Sequence, residues 1–208
     1  MESAAVGEQN STILLSTAYL PPVAYFAAVA HSQSAAVEAC ETFQKQSYRN
    51  RCNIYSPDGA QQLLVPVLHA GSRFIRDIRI DYSKNWQHHH RRAIATAYGP
   101  TPFFKYYWDD IDAILSRKHE FLFDMNMELT EKLLQLLEIR TPIGITSEYE
   151  SAPTGLCDLR SAIHPKREWP DWKPKEYYQS FCDRHGWLPN LSVIDLLFSE
   201  GPEAANYL

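Results

Sequence analysis

Glycine is scarce in this chain, with 8 among 208 residues, and none falls in a GxGxxG, Walker A or GxSxG pattern. Phosphate loops and nucleophile elbows use glycine where the backbone must turn sharply or approach a ligand closely. Dinucleotide-binding, P-loop and serine-hydrolase readings therefore lose their usual signature. Cysteine is also sparse. None of Cys40, Cys52, Cys157 and Cys182 sits in a CxxC spacing, so structural zinc has no signature, and a domain of this size needs no disulfide staples. The least remote nucleophile pair is Cys182 with His185. Positive charge is not in surplus. The formal net charge is −5, which disfavours binding to duplex nucleic acid through phosphate neutralisation.

A long uninterrupted apolar run is missing as well. Ile13 to Ala30 is broken by Ser16, Thr17 and the Pro21-Pro22 pair, whereas a membrane-spanning helix needs about 20 predominantly apolar residues. The N-terminus carries Glu2 and Glu8 where a signal peptide would be basic. The expectation is a cytoplasmic protein with no membrane span. What is present is a globular composition, 45% hydrophobic and 12% aromatic, enough to build a core rather than a disordered chain. Residues 1–208 read as one domain, with 1–11 a disordered or tag-like tail.

The pattern along the chain predicts an α/β fold: a mixed sheet with a β-hairpin, a central set of helices, then a long loop and a short terminal helix. Thr12 to Ser16 reads as a buried strand. Pro21-Pro22 ends that segment, and Val23 to His31 reads as a helix with proline at its start. Tyr19 and Tyr25 thereby fall near the carboxyl end of a strand, where open α/β sheets bind ligands. Val37 to Ile80 looks sheet-like. Arg51–Tyr55 and Gln62–Val67 flank Asp58-Gly59, a hairpin signal, and Phe74 to Ile80 reads as a further strand. Trp86–Tyr98, Phe103–Leu115 and Leu122–Ile139 have helical periodicity. Ile143–Tyr149 and Tyr177–Phe181 are candidate strands, 151–175 a long loop, and Leu191–Phe198 a short helix containing Asp195, a carboxylate in need of partners.

Several segments together resemble the WbqC-like family. They are Tyr19-Leu20-Pro21-Pro22-Val23-Ala24-Tyr25-Phe26, Tyr48-Arg49-Asn50-Arg51-Cys52-Asn53-Ile54, Val65-Pro66-Val67, Trp86 with His90, Ile94 and Tyr98, Pro102-Phe103-Phe104 with the Leu-rich helix, and Ser192 to Phe198 with Gly201-Pro202. Their order is more specific than any one of them. The resemblance implies a bacterial protein of O-antigen or other surface-polysaccharide biosynthesis, with a glycine or aminoacyl transferase role. It supplies no catalytic residue.

The resemblance, taken with the residues, leaves two classes of activity open. In the first, an acyl- or aminoacyl-transferase acts on a sugar or sugar-nucleotide. His90 shares a helix face with Trp86 and Ile94 and points inward, and it or His164 would serve as general base. Arg49 and Arg51, on one side of a strand, would hold a carboxylate or phosphate beside Tyr48. Asn50 or backbone amides would stabilise an oxyanion. Arg160, His164, Lys166 and Arg167 would clamp phosphate from the long loop. His88, His89 and His90 are consecutive, so they cannot share one ion on a helix, and no metal is expected. The second class is a non-catalytic ligand- or partner-binding protein that uses Trp108, Trp169, Trp172, Tyr177 and Tyr178 as stacking surfaces. No cofactor or oligomeric state is legible.

Overall fold

A computed structural model describes residues 11–68, 73–167 and 169–208. The expected tail lies almost wholly outside them. The first strand, β1 (Thr12–Ser16), carries Ile13, Leu14 and Leu15 in succession and buries all three. A strand apolar on both faces belongs inside a parallel sheet. Helix α1 (Val23–Ala30) follows and is buried along nearly its whole length. It returns the chain to β2 (Ser34–Glu38), which runs parallel to β1 from Thr12↔Ser34 to Ser16↔Glu38.

The next two strands, β3 (Arg51–Ser56) and β4 (Gly59–Leu64), form the expected hairpin. Its two-residue turn ends at Gly59, whose φ of 100° suits glycine. This antiparallel pair is a sheet of its own and does not extend the parallel one. Helices α2 (Trp86–Tyr98), α3 (Phe104–Leu115) and α4 (Leu122–Leu136) lie close to their expected bounds. Their apolar stripes, among them Ile94, Ile111, Leu115, Leu129 and Leu133, enter one hydrophobic core.

The parallel sheet is completed from far along the chain. Strand β5 (Ile143–Ile145) pairs with β2, and β6 (Cys157–Asp158), from within the predicted long loop, pairs with β1. The spatial order is β5-β2-β1-β6. Successive strands are thus added on one side of β1 until β6 crosses to the other. The gap between the exits of β1 and β6 is the topological switch point, the favoured ligand position in such sheets. Two short helices follow, α5 (Cys182–His185) and α6 (Val193–Glu200). The start of α6 is tied to the start of α1: Val23 N–H donates to the Leu191 carbonyl at 3.0 Å and Val193 N–H to the Pro21 carbonyl at 2.9 Å.

Three expected strands differ. Within Phe74–Ile80 the chain makes a 3-10 turn at Ile75–Asp77 with only isolated bridges around it. Burying Ile75, Ile78 and Ile80 needs no alternation here, because the segment lies over α4 instead of joining a sheet. Tyr177–Phe181 is irregular, because Tyr177 and Gln179 turn inward to Asp195. The third difference concerns the Arg-Asn-Arg motif. Tyr48–Asn50 is a 3-10 turn that starts at Ser47, and the strand begins only at Arg51. Arg49 and Arg51 therefore do not share a strand face.

Candidate functional site

At the switch point β1 ends at Ser16 and the chain runs on through Thr17 and Ala18, while β6 continues into Leu159 and Arg160. Between them lies a cavity of about 10 Å³, also lined by Tyr25, Tyr48, Arg49 and Ile163. Arg49 is held there by Glu41. Its Nε donates to Glu41 Oε1 at 2.9 Å, and its Nη2 donates to Glu41 Oε2 at 2.5 Å and to Ser16 Oγ at 2.8 Å. Both charged side chains are buried. The turn that carries Arg49 is fixed by Asn126, whose Nδ2 donates to the Arg49 carbonyl at 2.8 Å. Arg160 is bound in the same way. It donates to Asp158 through Nε and Nη2, to Glu38 Oε2 at 3.0 Å and to the Glu150 carbonyl at 2.9 Å, and it lies over the Tyr149 ring. Asp158 is held below the usual carboxylate range by its Arg160 hydrogen bonds, against its own burial. The two arginines are part of an ionic girdle around the strand exits.

A second hollow, a cleft of about 560 Å³, adjoins this cavity. Tyr48 lines both hollows. Trp169 and Trp172 give the cleft an aromatic wall, and His164, Arg167, Asn53 and Asn190 supply its polar points. His164 Nδ1 accepts the Lys166 backbone N–H at 3.2 Å. In the neutral ring the proton then sits on Nε2. Burial, and after it the charges of Arg167, Arg49 and Lys166, push the His164 pKa down, so the ring is neutral at pH 7. Asn190, with φ 56°, places its Oδ1 3.0 Å from the Ala24 N–H it caps. Tyr48 has its hydroxyl pKa pushed up to about 12, first by burial and then by Cys52.

The expected site residues thus divide. Tyr25, Tyr48, Arg49 and Arg160 meet at the strand-exit cavity, and His164 joins Tyr48 in the cleft. Tyr19 and His90 lie elsewhere. Tyr19 is fully buried, and its hydroxyl is 2.8 Å from His90 Nδ1. The His90 ring packs edge-on to Trp86. Burial pushes the His90 pKa down to about 4, against a hydrogen bond with the Leu64 backbone. Asn50 Nδ2 donates to the Val65 carbonyl, and Arg51 pairs with Gln62 on the hairpin. Lys166 Nζ donates to Gln46 Oε1. Cys182 and His185 share the short helix α5, but His185 Nε2 is engaged by the Pro57 carbonyl at 2.9 Å. Tyr177 is buried instead of exposed, and its hydroxyl donates to Asp195 at 2.7 Å. Among the described residues no arginine is bonded to Asp195. Sequence reasoning missed Glu41, Glu38, Thr17, Asn53 and Asn190. Only the Pro189-Asn190 step before an apolar helix carried a local signal, that of an N-terminal cap. Among the described residues no group of three or more His, Cys, Asp or Glu is arranged to hold a metal ion, and no helix is long and apolar enough to cross a membrane.

The sequence model of the WbqC-like protein family matches residues 17–165. The chain belongs to the WbqC-like protein family. Most of the strand-exit cavity and His164 fall within the WbqC-like match, whereas Arg167, Trp169, Trp172 and Leu188 to Leu191 lie beyond it. Among relatives, "Uncharacterized protein Rv1507c" of Mycobacterium tuberculosis (strain ATCC 25618 / H37Rv) is 28% identical over 218 residues, covering 91% of this chain and 94% of that protein. No solved structure matches.

Proposed function

We propose that the cleft takes a sugar bearing a phosphate or carboxylate, and that the protein acts on it as an acyl- or aminoacyl-type transferase in surface-polysaccharide biosynthesis. The observation that carries the substrate class is the meeting of Trp169 and Trp172 with Arg167 and His164 in one hollow. Indole faces stack on the apolar faces of sugars and bases, and a guanidinium matches an anionic oxygen pair. A volume of about 560 Å³ is in the range of small-molecule sites. Membership of the WbqC-like family supports the biosynthetic setting.

In this reading His164 is a donor. With its proton on Nε2, it is suited to donate a hydrogen bond to a developing oxyanion, and less suited to take a proton. Arg167 binds the anionic group. His90, bonded to Tyr19 inside the core, needs no part in the chemistry. The aromatic wall lies outside the family-matched segment, so it is the part that sets which sugar is accepted.

The test is turnover of amino-sugar nucleotides with acyl-CoA and aminoacyl-tRNA donors, followed by product mass. His164→Gln should lower kcat by roughly 10²–10³-fold, the scale of a lost oxyanion donor. Arg167→Met should raise KM about tenfold with kcat little changed. Turnover that neither substitution alters would reject these roles. One observation favours a second reading, a non-catalytic sugar-binding protein: among the described lining residues of the cleft there is no carboxylate, thiol or primary amine. Saturable binding without product from any donor class would select that reading.

A further inference from the structure

Two hydroxyls of residues that line the strand-exit cavity have no partner among the described residues. Thr17 Oγ1 and Tyr25 OH are both buried and make no hydrogen bond, although both residues are only 2% exposed. Protein interiors rarely leave such groups unpaired, and each exception calls for an occupant or a purpose. The cavity they line measures about 10 Å³, room for about one water-sized group.

The surroundings restrict what that group can be. Arg49 and Arg160 line the cavity, whereas their carboxylate partners Glu41, Glu38 and Asp158 do not. An ammonium would face guanidiniums and is excluded. A phosphate is too large, and it would find both guanidiniums already bonded to carboxylates. A neutral oxygen fits, because the hydroxyls of Thr17 and Tyr25 can each donate or accept. Tyr48 lines both the cavity and the cleft, and Ile163 of the cavity is followed directly by His164 of the cleft.

We infer that this cavity is the inner subsite of the cleft and takes one uncharged hydroxyl of the bound sugar, received by Tyr25 and Thr17. The inference rests on the cleft reading above and adds an orientation to it. The hydroxyl goes inward to the switch point, and the anionic group stays at Arg167. Tyr25 and Thr17 are therefore specificity residues that select for a hydroxyl at one position of the ring. The competing occupant is a permanent structural water that bridges the same two groups.

The experiment titrates UDP-N-acetylglucosamine, UDP-galactose and UDP-glucuronic acid, with their monodeoxy analogues, against tryptophan fluorescence. It uses the wild-type full chain and the Tyr25→Phe and Thr17→Val variants, with thermal melting of each ligand-free protein. The expected result is about tenfold weaker binding of the parent sugar by each variant, the effect of one lost hydrogen bond. One monodeoxy analogue should bind all three proteins equally, and the ligand-free Tm should hold level or rise. Unchanged sugar binding together with a lower Tm in both variants would assign the cavity to a structural water; the cleft would stand and the subsite fall. Equal weakening of the parent and every deoxy analogue would also overturn it. Absence of saturable quenching in the wild type by any of these sugars would overturn cleft and subsite together.

Discussion

Arg49 and Glu41 form a two-point ion pair, at 2.9 and 2.5 Å, that is sealed beneath the strand exits and shares Ser16 Oγ as a common neighbour. A buried pair of this kind holds geometry more than it adds net stability, because desolvation offsets most of the attraction. Removing one partner strands the other. Glu41→Leu and Arg49→Met should therefore each lower unfolding free energy by about 3–5 kcal/mol. The Glu41→Leu, Arg49→Met double variant should lose clearly less than either single change. Urea midpoints of the four proteins, with m-values compared, measure this. Additive losses would show that the pair is not coupled.

Two buried groups make opposite contributions to stability as pH changes. Burial raises the Asp195 carboxyl pKa to about 6, against hydrogen bonds from Tyr177, Tyr98 and Gln179. Its folded form binds a proton more readily than the unfolded chain, so stability falls as pH rises from about 4 to about 6. The His90 pKa is lowered to about 4, so its folded form binds a proton less readily and stability falls as pH drops from about 6.5 to about 4. Each effect is worth about 3 kcal/mol at 1.36 kcal/mol per pKa unit. Relative to wild type, Asp195→Asn should gain stability as pH rises through this window, and His90→Gln should gain as pH falls. Denaturant midpoints at pH 4, 5, 6 and 7 check both signs.

Arg160 ties the segment after β5 to the parallel sheet through Glu38, Asp158 and the Glu150 carbonyl. Arg160→Gln should release that segment locally without unfolding the core. The expected result is faster amide exchange over residues 146–163, including the Leu159 N–H that donates to the Leu14 carbonyl, with α4 unchanged. Uniformly faster exchange across the chain would contradict a local tether.

Gly201 follows α6 with φ 56°, and a Cβ built there would collide with the Phe103 ring. Both the left-handed backbone and the packed ring oppose any side chain. Gly201→Ala should cost about 2 kcal/mol and be read as a lower Tm. A neutral result would mean that the ring has room to move.

The fold was legible where the pattern is local. The three apolar residues of β1, the Asp58-Gly59 turn and the stripes of α2 and α4 each announce their element within one window. Strand β6 was not legible. It has two residues, Cys157 and Asp158, and exists only because Leu14 offers a partner from the other end of the chain. The site failed in a similar way. Arg49 and His164 were visible as chemistry-bearing side chains, but Glu41 neutralises Arg49 across a turn that propensity did not separate from a strand. His90 was read correctly as facing inward, yet periodicity cannot tell a cleft from a core. Its hydrogen bond to Tyr19, 71 residues away, decides that.

The most direct measurement is an amide-exchange footprint of the wild-type chain with a quenching sugar nucleotide at saturation. The account predicts protection concentrated on residues 48–53, 164–167, 169–174 and 188–191, around the cleft, with smaller protection at 16–19. Protection confined to the groove between the hairpin turn and α2, near Pro57, His89 and Arg92, with none at Trp169 to Trp172, would contradict it.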